Sequence, residues 1–150
     1  MNEALRLAEE NVRSGTGGPF GCVVTCGDEI VGRGTNTVTR DDDPTAHAEI
    51  AAIRAACERL GTFQLTGCTI YSSCEPCPMC MGAIYWARPD AVYFSATKDD
   101  AAAAGFDDEL IYRELARDLK KRLLPIERLE VDRAGEAFRL WLASEERTEY

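Results

Sequence analysis

Residues 68–96 read CTIYSSCEPCPMCMGAIYWARPDAVYFSA. The runs CTIYSS at 68–73 and DAVYFSA at 90–96 predict two strands, because β-branched and aromatic residues favour extended backbone. The segment CPMCMGAIYWA at 77–87 predicts a helix between them. Two strands joined by a helix are typical of parallel pairing, so this stretch predicts a β-α-β unit within an α/β fold.

The residues nearer the N-terminus predict a hairpin and a first helix. Residues 20–26 (FGCVVTC) and 29–35 (EIVGRGT) flank Gly27 and Asp28, a pair typical of a β-hairpin turn. Residues 2–13 predict an amphipathic helix. Its apolar residues at helical spacing are Leu5, Ala8 and Val12.

A second helix is predicted at residues 45–61, TAHAEIAAIRAACERLG. Thr45 is available as its N-terminal cap and Gly61 as its end. The apolar stripe along it consists of Ile50, Ile53 and Cys57.

The C-terminal third predicts a helix at roughly 108–121, a weaker strand at 126–131 (IERLEV) and a last helix at 134–146 (AGEAFRLWLASEE). No repeat or long linker divides the chain. We therefore expect one domain over residues 1–150, folded as a three-layer α/β/α sandwich.

Composition limits the class of protein. The chain has 150 residues, of which 45% are hydrophobic and 29% charged, as in ordinary globular proteins. No run approaches the roughly 18 apolar residues of a membrane span, and the N-terminal residues are charged, unlike a secretory signal. We expect a cytoplasmic protein that binds no membrane.

The net charge of -9 opposes binding to a nucleic-acid backbone, which depends on Lys and Arg. A small, weakly charged substrate fits this charge better, although acidity that serves only solubility is an equally good explanation of the charge alone. We expect no nucleic acid among the partners.

Seven cysteines suit thiols and metal ligands better than a disulfide framework, since seven is odd and no export signal is present. Four of them have no ligand-like neighbour in the sequence, and we expect them to be small buried residues. They are Cys22, Cys26, Cys57 and Cys68.

His47, Cys77 and Cys80 have the residue types of a catalytic zinc site, in which three protein ligands leave the fourth position to water. Cys77 and Cys80 lie three residues apart at the start of a predicted helix, so both sulfurs project from its first turn. His47 lies near the start of another helix. Two positive helix ends would then converge on the metal and stabilise thiolate and hydroxide.

Glu49 is placed to act as general base and then general acid beside this metal. The alternative is a surface glutamate that interacts with the helix dipole. The metal site has alternatives too: a structural zinc with Cys74 as fourth ligand, a capping or core histidine at position 47, or a redox pair formed by Cys77 and Cys80.

The pattern His-Ala-Glu at 47–49 followed by Pro-Cys-Pro-Met-Cys at 76–80 is the zinc deaminase signature. With these residues the chain resembles the cytidine deaminase-like superfamily and, within it, the small bacterial guanine deaminases, over nearly its whole length. Three of the segments that carry this resemblance are shared with tRNA adenosine deaminases: GGPFG at 17–21, DPTAHAE at 43–49 and SCEPCPMC at 73–80. The segments that resemble guanine deaminases are YWARP at 85–89, AGFDD at 104–108 and the final Glu-Tyr at 149–150.

This resemblance implies a mixed five-stranded sheet and a role for each residue of the site. Asn36 and the backbone amide of Ala48 would hydrogen-bond the purine, and Phe20 and Trp86 would form an aromatic slot. Asp108 would be a second proton shuttle and Tyr150 would close the pocket. Core packing is the alternative role for Phe20, Trp86 and Phe106, and a frayed end for Tyr150.

The family also forms dimers in which the C-terminal segment crosses to the partner, so we expect a homodimer. Asp108 and Tyr150 belong either to the site of their own chain or to the site of the partner. Thr37 departs from the family, which has a second asparagine there. That difference leaves the fine ligand preference open.

The resemblance implies hydrolysis of guanine to xanthine and ammonia, with one zinc ion per chain. Alternatives within the scaffold are a deaminase of cytosine, a triazine or a pterin, and a tRNA adenosine deaminase. The non-enzymatic alternative is a binding module with a structural zinc.

Overall fold

The computed structural model describes residues 1–149. It divides into two compact units, Met1–Leu110 and Ile111–Tyr150. The first unit contains the sheet and the predicted metal ligands. Organisation of residues 1–150 as one domain remains a prediction.

A four-stranded mixed sheet forms the centre of the first unit. Its strands are β1 (Gly21–Cys26), β2 (Glu29–Thr35), β3 (Cys68–Cys74) and β4 (Ala91–Ala96), in the order β2-β1-β3-β4. Strand β1 pairs antiparallel with both β2 and β3, whereas β3 pairs parallel with β4. The predicted hairpin and the parallel β-α-β unit are therefore confirmed.

The fifth strand that we expected is absent from the described residues, and the prediction of a strand at 126–131 is wrong. Ile126, Leu129 and Val131 are spaced by three and then two residues, so they cannot share one face of a strand. All three are exposed. Without a buried face or a pairing partner, this stretch gains nothing from extended pairing.

Within residues 1–149, seven α-helices and a 3-10 turn accompany the sheet. The helices before strand β4 are α1 (Asn2–Arg13), the short α2 (Val38–Asp41), α3 (Ala48–Leu60) and α4 (Pro78–Ala87). After it come α5 (Lys98–Ala103), α6 (Glu109–Leu115), a 3-10 turn (Leu119–Lys121) and α7 (Glu136–Ala143). The predicted helix at 108–121 ends at Leu115, and α2 and α5 were not predicted.

Helices α1 and α3 cover opposite faces of the sheet. A side chain added at Gly21 would meet Ala4 and Ala8 of α1, whereas one added at Gly34 would meet Ala48 and Ala52 of α3. Alternate residues of a strand point to opposite faces, so these contacts place the sheet between two helical layers. The α/β/α layering of the first unit follows from this arrangement.

Small residues set the distance between α3 and the sheet. Ala48, Ala52 and Ala56 are completely buried, while the predicted stripe of Ile50, Ile53 and Cys57 is only half-buried. The Cβ of a residue at position 32 would lie 2.9 Å from the Cβ of Ala56. Helix and strand pack so closely because glycine faces alanine, and larger side chains are displaced to the flanks of the helix.

The structure also corrects two predictions about helices: the buried residues of α1 and the N-cap of α3. Helix α1 buries Ala4, Ala8 and Asn11, whereas Val12 is exposed. The residue at the N-cap of α3 is His47 and not Thr45. Thr45 instead donates both its backbone N–H and its hydroxyl to Asp43.

The second unit holds the last part of α6, the 3-10 turn and α7. Many of its large apolar side chains are exposed, among them Leu123, Leu124, Leu129, Phe138, Leu140 and Leu142. Within residues 1–149, no helix combines the length and the apolar character that crossing a bilayer would require.

Candidate metal and catalytic site

Three predicted metal ligands meet at one point of the first unit. The Nδ1 atom of His47 lies 3.6 Å from Cys77 Sγ and 3.4 Å from Cys80 Sγ. The potential ligand atoms of the three residues all lie within 4.8 Å of one another, and no other such group occurs in residues 1–149. One imidazole and two thiols at this spacing match the donor set and size of a catalytic zinc site.

Two helix N-termini hold these ligands. His47 is the N-cap of α3 and Cys77 the N-cap of α4, which starts with Pro78. Proline suits the first helical position because it has no N–H that would need an acceptor there, and its fixed φ already has the helical value. Cys80 lies in the first turn of α4 and is completely buried. The unpaired N–H groups of both helices favour anionic sulfur at this point.

The pKa values of the two ligand thiols are shifted in opposite directions. The hydrogen bond from Cys80, with a further one from His47, lowers the pKa of Cys77 to about 4. The hydrogen bond to Cys77, followed by burial, raises the pKa of Cys80 above its usual range. The hydrogen bond to Cys77 raises the pKa of His47. Such a cluster offers a cation a ready thiolate and a second thiol that loses its proton on binding.

Glu49 lies beside the ligands in the first turn of α3. Its side chain is buried, with a residue exposure of 5%. Ser72 Oγ donates to Oε1 at 2.9 Å, and Cys80 Sγ donates to Oε2 at 3.4 Å. Burial raises the pKa of the Glu49 carboxyl, which these hydrogen bonds partly oppose. A surface role for Glu49 is excluded, and its carboxyl is held where it can exchange protons beside the cluster.

Cys74 does not join the cluster. Its thiol donates to the carbonyl oxygen of Thr97, the residue after β4, at 3.4 Å. Burial raises the pKa of this thiol to about 11. A closed structural site with Cys74 as fourth ligand therefore has no support among the described residues, and the three ligands leave a position for water.

Asn36 and Ala48 are both fixed near this end of the sheet. Asn36 follows β2 and is buried; its backbone N–H donates to Phe20 at 3.2 Å and its carbonyl accepts from Asn11 Nδ2 at 2.8 Å. Ala48 is the first residue of α3, where backbone N–H groups have no partner within the helix. The positions of Asn36 and Ala48 are compatible with the hydrogen bonds to a purine that we expect of them.

The aromatic residues differ in their surroundings. Phe20 packs against the core, and its ring meets that of Phe106 edge to face at a centroid distance of 5.0 Å. Trp86 is 64% exposed, because the buried stripe of α4 consists of Cys80, Ile84 and Ala87. Its role in an aromatic slot remains a prediction.

Asp108 lies immediately before α6 and is partly buried. Burial, followed by the negative charge of Cys77, raises the pKa of its carboxyl. The charge of the ligand cluster therefore acts on the Asp108 carboxyl, which is consistent with a position near the site. Tyr150 lies outside the described residues, so its proposed closing role is untested.

Three polar residues of this region were missed by the sequence analysis. Besides the Ser72 hydroxyl at Glu49, Ser73 Oγ accepts from the N–H of Gly21 at 3.0 Å. Asn11 donates to the carbonyl oxygens of Gly18 and Asn36, both at 2.8 Å. A polar residue on the buried side of an amphipathic helix was the available signal for Asn11. The serines gave no signal, because CTIYSS predicts only a buried strand.

Comparison with known proteins agrees with this site. Residues 1–96 match the family model of the cytidine and deoxycytidylate deaminase zinc-binding region. The chain is 47% identical over 150 residues to the guanine deaminase of Bacillus subtilis, covering all of this chain and 96% of that one. It is 36% identical over 114 residues to the tRNA-specific adenosine deaminase of the same bacterium, covering 76% and 70% of the two chains.

Solved structures give the same picture. The X-ray structure of the Bacillus subtilis guanine deaminase matches with a TM-score of 0.96 and 48% identity, over 99% of this chain and 95% of that one. The guanine deaminase of Nitrosomonas europaea matches with a TM-score of 0.68 and 34% identity, over 72% and 63% of the two chains. The similarity to the first structure extends over both units of the chain.

Proposed function

This chain belongs to the cytidine and deoxycytidylate deaminase zinc-binding family and is a zinc-dependent guanine deaminase, and we propose a role for each residue of its site in the hydrolysis of guanine to xanthine and ammonia. The observation that carries the activity is the full-length similarity to a guanine deaminase, together with the ligand cluster His47, Cys77 and Cys80. The similarity to the tRNA enzyme covers a smaller share of the chain.

His47, Cys77 and Cys80 hold the metal. When bound, zinc supplies the Lewis-acid chemistry that makes water a nucleophile at neutral pH. The three ligand residues lie at the N-termini of two helices, which are rigid supports, so the fold holds their side chains where they would bind zinc.

Glu49 transfers the protons. We assign it the removal of a proton from the attacking water and its delivery to the ring nitrogen next to the carbon that bears the exocyclic amine. A second transfer to that amine makes ammonia the leaving group. The raised pKa of the buried carboxyl suits a group that must both accept and donate a proton near neutral pH.

Asn36 and Ala48 bind the purine in this proposal. The amide of Asn36 can donate to and accept from the edge of a purine, and the N–H of Ala48 adds a donor at the start of α3. The buried backbone contacts of Asn36 keep its amide in one place. Phe20 and Trp86 supply ring surfaces for the flat base.

We further propose a homodimer in which the C-terminal segment brings Tyr150 to the partner's site, while Asp108 serves the site of its own chain, where burial and the charge of Cys77 raise its pKa. The exposed apolar side chains of the second unit support this idea, because large apolar surfaces commonly mark protein interfaces. Residence in the cytoplasm is proposed on the seven free thiols, which suit a reducing compartment.

The test is ammonia release from guanine, cytosine, adenine and their nucleosides, with a triazine amine and a pterin in the same panel. Guanine is expected to give the largest kcat/KM, with xanthine as the product. Turnover of cytosine or the triazine without turnover of guanine would contradict the substrate while leaving the scaffold intact. Inosine formed in a tRNA substrate would favour the nucleic-acid alternative.

A further inference from the structure

Cys26 and Cys68 lie directly opposite each other on neighbouring strands. Cys26 ends β1 and Cys68 begins β3, and the antiparallel register pairs the two residues. Cys26 is exposed, whereas Cys68 is 1% exposed. We expected Cys22, Cys26, Cys57 and Cys68 to be small buried residues. This is wrong for Cys26, which is exposed, and Cys57 is only half-buried.

The backbone hydrogen bonds show which kind of pair this is. The N–H of Cys68 donates to Leu65 at 2.9 Å, and its carbonyl accepts from the N–H of Asp90 at 2.9 Å. The N–H of Cys68 is therefore not given to Cys26, and the two residues form a non-hydrogen-bonded antiparallel pair. In such pairs the Cα atoms are about 4.5 Å apart and the side chains approach each other most closely.

This spacing suits a disulfide. Disulfide-linked residues have Cα atoms about 4.4–6.8 Å apart, a range that includes the non-hydrogen-bonded pair. Both side chains also point to the same face, because directly paired residues of a sheet do so. A disulfide can therefore form without moving either strand.

The surroundings of the pair argue against a second metal site. Cys57 and Asp90 influence the charge of Cys68. Even so, these residues do not form a group of three close ligand atoms anywhere in residues 1–149. Two thiols without a third donor are better suited to redox chemistry than to holding a cation.

The two thiols also differ in accessibility. Cys26 is exposed, whereas Cys68 is buried, and burial raises the pKa of the Cys68 thiol to about 11. A dissolved oxidant can therefore reach the sulfur of Cys26 before that of Cys68.

We propose that Cys26 and Cys68 form a reversible redox site, which a small-molecule disulfide such as oxidised glutathione converts to a cross-strand disulfide. The Cys26 thiolate attacks one sulfur of the oxidant, forms a mixed disulfide and releases a glutathione thiolate. Cys68 then attacks the Cys26 sulfur as its proton leaves, and the second glutathione departs as a thiol. The two protein thiols are oxidised, and one disulfide is reduced to two thiols.

The experiment treats the zinc-loaded full chain with oxidised glutathione, blocks the remaining thiols and maps the peptides without reduction. We expect a linkage to Cys68, the loss of two hydrogen atoms from the protein mass, and complete reversal by reduced glutathione. Tryptic cleavage after Arg33 leaves Cys22 and Cys26 on one peptide, so fragmentation must locate the linked sulfur. The zinc content is measured alongside, since oxidation of the metal ligands would release zinc.

Two variants make the test specific. In Cys68→Ala the second step is impossible, so glutathione should remain attached to Cys26 as a stable mixed disulfide. In Cys26→Ser neither a mixed disulfide at Cys68 nor a crosslink should form, because Cys68 is buried. The exposed position 26 tolerates serine without loss of core packing, so this variant alone keeps the proposal testable.

Cys57→Ser is the matched control, because Cys57 also lies near Cys68 but on helix α3. It should form the same crosslink as the unmodified chain. A crosslink between Cys57 and Cys68, a chain that keeps glutathione on Cys26 without closing the disulfide, or no reaction of Cys26 would each overturn the proposal.

Discussion

Ser72 Oγ donates a hydrogen bond to Glu49 Oε1 at 2.9 Å, which joins the interior of strand β3 to the first turn of helix α3. Both residues are buried, and the other carboxyl oxygen faces the Cys80 thiol at 3.4 Å. The carboxyl is thus fixed from the sheet on one side and from the ligand cluster on the other. Mutations can therefore test two proposed roles separately: proton transfer by Glu49 and the positioning of its carboxyl by Ser72.

Glu49→Gln should abolish turnover while zinc remains bound. The amide keeps the shape and still accepts from Ser72, but it cannot take up a proton, and general acid–base groups contribute about 10²- to 10⁴-fold to rates. We expect kcat to fall by at least about 10³-fold on this basis. The measurement is ammonia release from guanine together with zinc content and thermal unfolding. Retained activity would assign proton transfer to another group, such as Asp108.

Ser72→Ala should lower kcat by about 5- to 10-fold with little change in KM, since one buried hydrogen bond contributes about 1 kcal/mol. The loss arises because the Glu49 carboxyl becomes free to rotate away from the substrate. Ser72→Thr keeps the hydroxyl and should restore most of the activity. A fall in protein stability with unchanged kcat would show that Ser72 has a structural role only.

Cys80→Ala should lose stoichiometric zinc, whereas Cys74→Ala should keep it. Cys80 is in the ligand cluster, while the Cys74 thiol donates to Thr97. Removing one of three protein ligands leaves too few donors for a stable site. Metal analysis of the purified variants is the measurement. Loss of zinc from Cys74→Ala, with a normal fold, would restore the four-ligand alternative.

Gly34→Ala should destabilise the fold by about 2–3 kcal/mol and weaken zinc binding, as expected for overpacking of a close contact. The new Cβ would overlap the carbonyl oxygen of Ala48 and lie 2.5 Å from the N of Ala52, so α3 must move. His47 at its N-cap moves with it.

Gly82→Ala is the matched control for this change. Nothing lies within 4 Å of the added Cβ on helix α4, so alanine should stabilise the chain by up to about 1 kcal/mol through its higher helix propensity. Urea unfolding and metal analysis compare the two variants. Equal stability of both would contradict the close packing of α3 on the sheet.

Glu3→Gln should destabilise the chain at neutral pH by less than about 1 kcal/mol, since exposed ion pairs are screened by solvent. Hydrogen bonds from Arg6 and then Arg33 lower the pKa of Glu3 from 4.5 to about 2, which ties helix α1 to strand β2. A lowered pKa stabilises the folded state above the unfolded value of 4.5, and this contribution is lost as the pH falls towards 2.

The difference in the free energy of unfolding between Glu3→Gln and the unmodified chain should therefore become smaller below pH 4.5. Urea unfolding at several pH values measures it. Glu9→Gln is the control for the loss of one charge, because its partner Arg13 lies on the same helix. A difference that grows as the pH falls would contradict the ion pairs of Glu3.

Most of the first unit could be predicted because its signals are local. The hairpin, the β-α-β unit and helix α3 depend on residue patterns within about ten to twenty residues of each other. The prediction of a strand at residues 126–131 failed, because the spacing of the apolar residues there leaves them no common face. The stripe of α3 was also misassigned, because the glycines of β2 select alanine over isoleucine at that contact.

The zinc ligands and Glu49 were determined by the sequence itself, since the identity of a donor atom is a property of the side chain and three-residue spacing fixes two ligands on one helical turn. Only the tertiary structure decided three other contacts. The Cys74 thiol donates to Thr97, and the Ser72 hydroxyl donates to Glu49. Cys26 pairs with Cys68 on the neighbouring strand. Each of these pairs joins residues 23 or more positions apart. Strand register and the packing of helix on sheet set such contacts, and neither can be read from a local pattern.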